Sequence, residues 1–245
     1  MRGGGFGRLR RIAVILRFDH SEEMLGRGII EAMTPAPHFD HQFRGRLADL
    51  LTWRRDVRRF RPDPLPPGLI DELVALACLA PSVGFSQPWR WVMVDAPDRR
   101  RAIIENFRQA NQQALAEYEG ARRALYARLK LAGLVEAPVH LAVFVDPTTD
   151  VGQGLGCRTM PEMLPYSVVC AVNTLWIVAR AYGIGVGWVS IIDALQAQAA
   201  LDTPAHWRLV AYLCLGYADD EQDQPELERE GWASRQPPEV VILER

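Results

Sequence analysis

The segment RRDVRRFR, residues 54–61, most directly suggests chemistry, because five of its eight residues are arginines. A guanidinium group donates paired hydrogen bonds in one plane, which fit the oxygens of a phosphate. Arg54 and Arg58 are four positions apart, so on a helix they would share one face and could bind one anion. Asp56 lies between them, where a carboxylate can pair with the arginines or move protons beside a phosphate. A solvated basic surface is the alternative interpretation.

Residues 80–89, APSVGFSQPW, form a second polar segment, between a run with helical spacing and a run that alternates like a strand. Ser82, Ser86 and Gln87 offer hydroxyl groups and an amide, and Gly84 permits a tight turn. A loop of this composition on a rigid base can present polar groups to a bound cofactor. The alternative is an ordinary helix-to-strand turn.

Two glycine-rich stretches, residues 152–156 and 183–187, have glycine at every second position. Neither matches GxGxxG, so a Rossmann dinucleotide site is not predicted. In a strand, this spacing indicates either a flat ligand close to the backbone or tight packing of a helix on the strand. The first stretch predicts a loop that can fold over a ligand. The sequence has no GxSxG motif, so a Ser–His–Asp hydrolase site is not predicted.

The chain has 245 residues, of which 49% are hydrophobic, and is long enough for one large domain or two small ones. Its formal net charge of −2 does not supply the one-signed basic face that duplex nucleic acid requires. The four cysteines form no CxxC pair, and His38 and His41 lie in a polar segment typical of solvated side chains, so no metal is predicted. The uncharged run 163–179 is shorter than a membrane span and predicts a buried helix, so we expect a cytoplasmic protein.

Hydrophobic spacing predicts helices that alternate with strands. Helices are expected at residues 47–60, 69–80, 98–135 with a break near Gly120, 163–179, and a short piece ending about residue 202. Strands are expected at residues 89–95, 139–146, 183–192, 207–219 and 237–245. Residues 1–42 predict a loosely ordered extension, which leaves residues 43–245 as one domain. This order predicts an α/β or α+β fold with helices packed on a sheet.

Five segments, in order, resemble the nitroreductase-fold flavoproteins and, within them, the BluB branch. They are RRDVRRFRPDP, APSVGFSQPWRWV, RTMPE, YSVVCAVNTLWIVARAYGIGVGWVSI, and LCLGYA with PELEREGW. The resemblance spans roughly residues 45–240 and implies an FMN-binding α+β fold with a central mixed or antiparallel sheet flanked by helices. It also implies a homodimer in which a C-terminal arm, here residues 237–245, reaches around the partner.

For the BluB branch, the resemblance implies that reduced FMN is the substrate and dioxygen the co-substrate. The flavin is fragmented to 5,6-dimethylbenzimidazole, the lower ligand of vitamin B12, and a separate flavin reductase supplies reduced FMN. Asp56 and Ser190 are the implied catalytic residues, Asp56 for proton transfer and Ser190 for a hydrogen bond to flavin N5. The implied flavin-binding residues, with the arginines on the phosphate, are Arg54, Arg55, Val57, Arg58, Ser82, Ser86, Gln87, Gly187, Ile191 and Arg235.

Two other functions stay open at this point. An FMN-dependent NAD(P)H oxidoreductase that reduces nitro compounds or quinones would need the same arginines around the phosphate. A flavin-sequestering module would hold FMN without converting it. Asp56 and the GWVSI segment, residues 187–191, favour the BluB reaction over both.

Overall fold

The computed structural model describes residues 36–237 and residue 242. Its helices are α1 His41–Trp53, α2 Leu69–Ala77, α3 Pro97–Ala116, α4 Gly120–Arg128, α5 Met163–Ala181, α6 Ala194–Leu201 and α7 Glu226–Arg229, with a 3-10 turn at Val83–Phe85. Its strands are β1 Trp89–Met93, β2 Val139–Val145, β3 Gly185–Val189 and β4 Arg208–Gly216. The predicted alternation of helices and strands is confirmed, including the break between α3 and α4. Of the predicted terminal strand 237–245 and the extension 1–42, only residues 36–42, 237 and 242 are within the described part of the chain.

The strands form one antiparallel sheet in the order β1-β2-β4-β3. Helices α2 and α5 cover one face, and helices α3 and α6 lie against the other. Successive side chains of the central strands point to opposite faces of the sheet. Leu213 and Leu215 pack on the side of α5, while Tyr212 and Cys214 pack on the side of α6. A strand covered on both faces needs apolar residues throughout, which explains the continuous hydrophobic run predicted as β2.

Helix α5 is hydrophobic around most of its circumference but is buried on one side only. Val168, Val172 and Leu175 are fully buried against the sheet, whereas Tyr166 and Val169 are exposed. Among the described residues, α5 is also the one helix long and apolar enough to span a membrane. Its packing across the sheet and against α2 accounts for the buried half of that hydrophobic surface.

The helix predicted at residues 47–60 is wrong in its second half. Helix α1 begins after Asp40, whose carboxylate accepts from the backbone N–H of Phe43 at 2.7 Å, and it ends at Trp53. Residues 54–60, which we call the arginine segment, are extended instead and pair with the sheet at two isolated bridges. The N–H of Val57 donates to the carbonyl of Val186 at 3.0 Å. Backbone pairing with β3 therefore overrides the local helical spacing of the arginines.

The alternating glycines of β3 make room for the arginine segment. A Cβ atom at Gly187 would lie 2.1 Å from the carbonyl oxygen of Val57, and one at Gly185 would lie 2.8 Å from the Val57 side chain. The close neighbour of this strand is thus an extended segment of the same chain and not a packed helix. A flavin contact of Gly187 stays a prediction.

Phe60, at the end of the arginine segment, fills a socket made by other glycines. A Cβ atom at Gly133 would lie 2.4 Å from the Phe60 ring, and one at Gly216 would lie 3.1 Å from it. The ring is only 4% exposed. Burial of an aromatic ring of this size contributes about 2–3 kcal/mol, so Phe60 anchors the segment firmly.

Gly187→Ala is expected to destabilise the fold, because the added methyl group overlaps the Val57 carbonyl and forces the arginine segment off β3. Overpacking of this kind costs about 1–3 kcal/mol of unfolding free energy. Gly45→Ala is the matched control, since nothing lies within 4 Å of that position in α1, and removing a helical glycine should stabilise by about 0.5–1 kcal/mol. Urea unfolding of both variants measures the difference, and equal stabilities would contradict the assigned packing.

His140 is a buried titratable group in the layer with α3 and α6. Its Nδ1 lies 2.9 Å from the hydroxyl oxygen of Tyr212, and its Nε2 has no hydrogen-bond partner among the described residues. Burial, followed by the positive charge of Arg100, lowers the pKa of His140 to about 4. The imidazole is therefore neutral in the folded protein at physiological pH.

The free energy of unfolding should fall as the pH drops from about 6.5 to about 4, because over this interval the unfolded chain binds a proton at His140 and the folded chain does not. The expected loss from this residue is on the order of 3 kcal/mol. Urea unfolding across this range measures it, with His140→Gln as the comparison because its side chain does not titrate. The variant should have the flatter profile, and parallel profiles would rule out the assigned pKa.

Candidate active site

Asp56 is held in a fixed orientation at the edge of β3. One carboxylate oxygen accepts from the backbone N–H of Trp188 at 2.9 Å, and the other accepts from Nε of Arg58 at 2.8 Å. Both the side chain of Asp56 and that of Arg58 are partly buried. A carboxylate fixed through both oxygens is a well-oriented proton acceptor for a group placed next to it.

Three of the five arginines predicted as one phosphate cluster use their guanidinium groups to hold the chain together. Arg55 donates to the carbonyl oxygens of Arg54 and Asp223. Arg58 pairs with Asp56 and also donates to the carbonyl of Lys130 at 3.1 Å. Arg59 pairs with Glu226 at 2.6 Å. Since the segment is extended, Arg54 and Arg58 do not share a helix face as the spacing predicted.

Arg54 and Arg235 are two guanidinium groups close to Arg55 that are available to an anion. The Arg54 side chain lies over the ring of Trp176, with 4.7 Å from its Cζ to the ring centroid. Neither Arg54 nor Arg235 donates a side-chain hydrogen bond or forms an ion pair within the described residues. Both lie close to Arg55, whose pKa is lowered by burial first and then by the charges of Arg54 and Arg235.

A cleft of about 620 Å³ separates the end of α1 from the chain that follows β4. Its lining residues are Leu51, Thr52, Arg55, Asp223, Gln224, Pro225, Glu228 and Arg235. An anion beside Arg54, Arg55 and Arg235 would offset the repulsion among three like charges, which the carboxylates of Asp223 and Glu228 offset in part. The donor set therefore fits a phosphate group.

Ser190 follows β3 directly and is exposed. Ser190 is two residues beyond Trp188, whose N–H donates to Asp56. At the rise of an extended chain, residues 188 and 190 are about 7 Å apart. Ile191 comes next and is half-buried. Strand β3 thus brings Asp56 and Val57 close to Gly187 and Ser190, which lie at least 130 positions further along the sequence.

The polar loop around Ser82 is fixed by hydrogen bonds of its own. Ser82 accepts through its hydroxyl from the N–H of Gln87 at 3.1 Å, and Val83 donates its N–H to the hydroxyl of Ser167 on α5 at 3.0 Å. The hydroxyl of Ser86 is buried without a partner among the described residues. Phe85 and Gln87 have left-handed backbone angles, with φ of 56° and 44°. Such strain in non-glycine residues is concentrated at functional sites.

The glycine-rich loop 152–156 packs on this polar loop. A Cβ atom at Gly152 would lie 2.2 Å from the carbonyl oxygen of Gly84, and one at Gly84 would lie 2.6 Å from that of Leu155. The sequence predicts that Gly84 permits a tight turn. In the structure its close neighbour is loop 152–156, so the glycines lock two loops together.

Within one chain, the predicted site residues fall into two groups along α5. Ser167 binds the loop that carries Ser82, Ser86 and Gln87, whereas Trp176 donates through Nε1 to the carbonyl of Arg55. Nine helical residues separate these two contacts, which is about 13 Å along the helix axis. The arginine segment, Ser190 and Arg235 form one group, and the loop at 82–87 forms the other.

Several residues that build the site were missed by sequence reasoning. Trp176 and Trp188 lie in apolar runs, where a tryptophan looks like an ordinary core residue. Lys130 and Asp223 act through backbone carbonyls, which carry no sequence signal. Across residues 36–237 and 242, no three His, Cys, Asp or Glu side chains group as metal ligands.

Comparison with known proteins adds independent information. A model of the Nitroreductase family matches residues 51–217. A 5,6-dimethylbenzimidazole synthase from Rhodospirillum rubrum is 55% identical over 209 residues, which cover 85% of this chain and 99% of that protein. The structure of oxidised iodotyrosine deiodinase bound to FMN and 3-iodo-L-tyrosine is 25% identical, with a TM-score of 0.61, over 72% of this chain and 91% of that one. A BluB-like flavoprotein from Clostridium difficile, 20% identical, has the same fold, with a TM-score of 0.59 over 81% of this chain and 98% of that one.

Proposed function

This chain belongs to the nitroreductase family, and we propose that it converts reduced FMN and dioxygen into 5,6-dimethylbenzimidazole. The observation that carries the proposal is the fixed carboxylate of Asp56, held by the N–H of Trp188 on the strand that leads to Ser190. The extensive identity with a 5,6-dimethylbenzimidazole synthase supports the same function.

FMN fits the donor set at the arginine segment. Arg54 and Arg235 bind the phosphate next to the cleft at the end of α1, where the charge of Arg55 adds to theirs, and Arg58 orients Asp56. When bound, reduced FMN supplies the isoalloxazine ring that reacts with dioxygen and is fragmented. Val57, Gly187 and Ile191 line the path between the phosphate end and Ser190.

Asp56 and Ser190 have separate roles in this proposal. The Asp56 carboxylate would accept a proton from the ribityl chain, with dioxygen as the oxidant, since its two existing hydrogen bonds hold it in one orientation. The Ser190 hydroxyl is exposed at the end of β3 and hydrogen-bonds N5 of the ring. Neither role requires a metal or a nicotinamide.

Asp56→Asn and Ser190→Gly should each lower formation of 5,6-dimethylbenzimidazole by at least about 100-fold, because each removes a group that acts on the reacting flavin. Both variants should still bind FMN, since the arginines are intact. The assay is aerobic incubation with chemically reduced FMN, followed by chromatography of the product.

Asp49→Asn is the matched control, since Asp49 is an exposed residue of α1. Formation of 5,6-dimethylbenzimidazole at the wild-type rate in Asp56→Asn or Ser190→Gly would contradict the role assigned to that residue. Two results with the unmodified protein would contradict the function itself. Fast NADPH oxidation with a nitroaromatic would indicate an ordinary oxidoreductase, and FMN returned intact would indicate a sequestering module.

We further propose that the active form is a homodimer. Tyr166 and Val169 are exposed on α5, and Phe85 and Leu155 on the loops near it are 76% and 73% exposed. Large exposed apolar side chains in one region are typical of an interface. In a two-fold dimer, the loop at 82–87 of one subunit would complete the site at the arginine segment of the other.

A mixing experiment tests this arrangement. Asp56→Asn and the double variant Ser82→Ala, Gln87→Ala should each be inactive alone, because each damages both sites of its own dimer. When equal amounts are co-expressed, about a quarter of wild-type activity should return, since half of the dimers are mixed and each carries one intact site. A monomer in sedimentation analysis, or the absence of any recovery, would contradict the shared site.

Because the proposed reaction consumes FMN, each turnover needs a new molecule of reduced FMN. A separate flavin reductase in the same compartment is the partner that this chemistry requires. The four cysteines, at positions 78, 157, 170 and 214, are all free thiols. Free thiols suit a reducing compartment, which supports the cytoplasm as the location.

A further inference from the structure

We propose that Trp176 is a positioning residue that makes the site prefer a phosphorylated flavin. The inference rests on the proposed function, because it concerns how this chain grips the phosphate of FMN. Trp176 lies on α5, remote in sequence from the arginines that it contacts. Its effect is exerted through Arg54 and not through direct contact with the flavin.

Trp176 contacts two consecutive residues of the arginine segment by different means. Its ring face carries the guanidinium of Arg54, and its Nε1 donates to the carbonyl of Arg55 at 3.1 Å. The next residue, Asp56, is bound by the N–H of Trp188, whose ring centroid is 6.1 Å from that of Trp176. The two tryptophans therefore hold three consecutive site residues in register with α5 and β3.

Stacking of this kind prepares Arg54 for an anion. The guanidinium carbon of Arg54 lies over the ring, and the Arg54 N–H groups donate to no acceptor within the described residues, so they are free to bind an anion. An arginine side chain loses substantial rotamer freedom when it binds a phosphate. Because Trp176 restricts the side chain beforehand, part of that loss is incurred on folding and not on binding.

A purely structural role for Trp176 has a different consequence. Loss of core packing would weaken the fold and lower the affinity for every flavin alike. Loss of a positioned Arg54 would weaken binding of FMN, which carries the phosphate, and leave binding of riboflavin unchanged. The ratio of the two affinities therefore separates the two roles.

The experiment measures binding of oxidised FMN and of riboflavin by flavin fluorescence in Trp176→Leu, Trp176→Phe and wild-type protein. Trp176→Leu should lower the preference for FMN by about three- to thirtyfold, the range that a cation–π contact supplies. Trp176→Phe keeps a ring under Arg54 and should retain most of the preference. If Trp176→Leu does not fold, Trp176→Met replaces it, because a flexible thioether fills the space without a ring face.

Trp207→Leu is the matched control, since Trp207 packs on Phe144 away from the arginine segment. Its ratio of affinities should equal that of the wild type. Any of three results would overturn the inference. The ratio of affinities could be unchanged in Trp176→Leu, it could fall equally in Trp207→Leu, or the wild-type protein could bind riboflavin with the same affinity as FMN. Formation of 5,6-dimethylbenzimidazole by the wild type is scored separately, so failure of the proposed function is distinguishable.

Discussion

The site depends on the extended course of residues 54–60 along the edge of β3. Glycine at positions 185 and 187 leaves the space, and the bond from Val57 to the carbonyl of Val186 fixes the register. Successive side chains of an extended chain point to opposite sides, so Arg54, Asp56 and Arg58 share one side of the segment. There the Asp56 carboxylate accepts from the N–H of Trp188. A helix through the same residues would have separated the carboxylate from the strand that leads to Ser190.

Ion pairs are not the main force holding this segment. Arg59 and Glu226 form an ion pair at the surface, in which Arg59 is exposed, and surface pairs contribute about 0–1 kcal/mol. Burial of the Phe60 ring contributes more, and the backbone bonds to Val186 and Tyr217 satisfy groups that would otherwise be orphaned. The charged side chains are consequently free to be arranged for binding, with Arg55 and Arg58 as internal supports and Arg54 facing outward.

The sequence was sufficient for the elements whose signal is local. Strands β2 and β4 and helix α5 have long apolar runs, and the caps and prolines around them fix their approximate ends. The arginine segment could not be predicted in this way, because the edge of β3 that captures it lies some 130 residues further along the chain. Arg55 donates to carbonyl groups, as Arg58 does to that of Lys130, and any residue type supplies a carbonyl. Asp56 is predicted from its place among the arginines, but Ser190 and its link to Asp56 are implied only by the family resemblance, since neither side chain shows that β3 lies between them.

The packing around Phe60 restricts which amino-acid substitutions this chain can accept during evolution. The ring at position 60 and the missing side chain at position 133 occupy the same volume, although they are far apart in sequence. Any larger residue at 133 would need a smaller one at 60, and the arginine segment would then lose its anchor. Among homologues these two positions should therefore covary, and the pairing of a large aromatic with glycine should mark the lineages that keep the segment seated on β3.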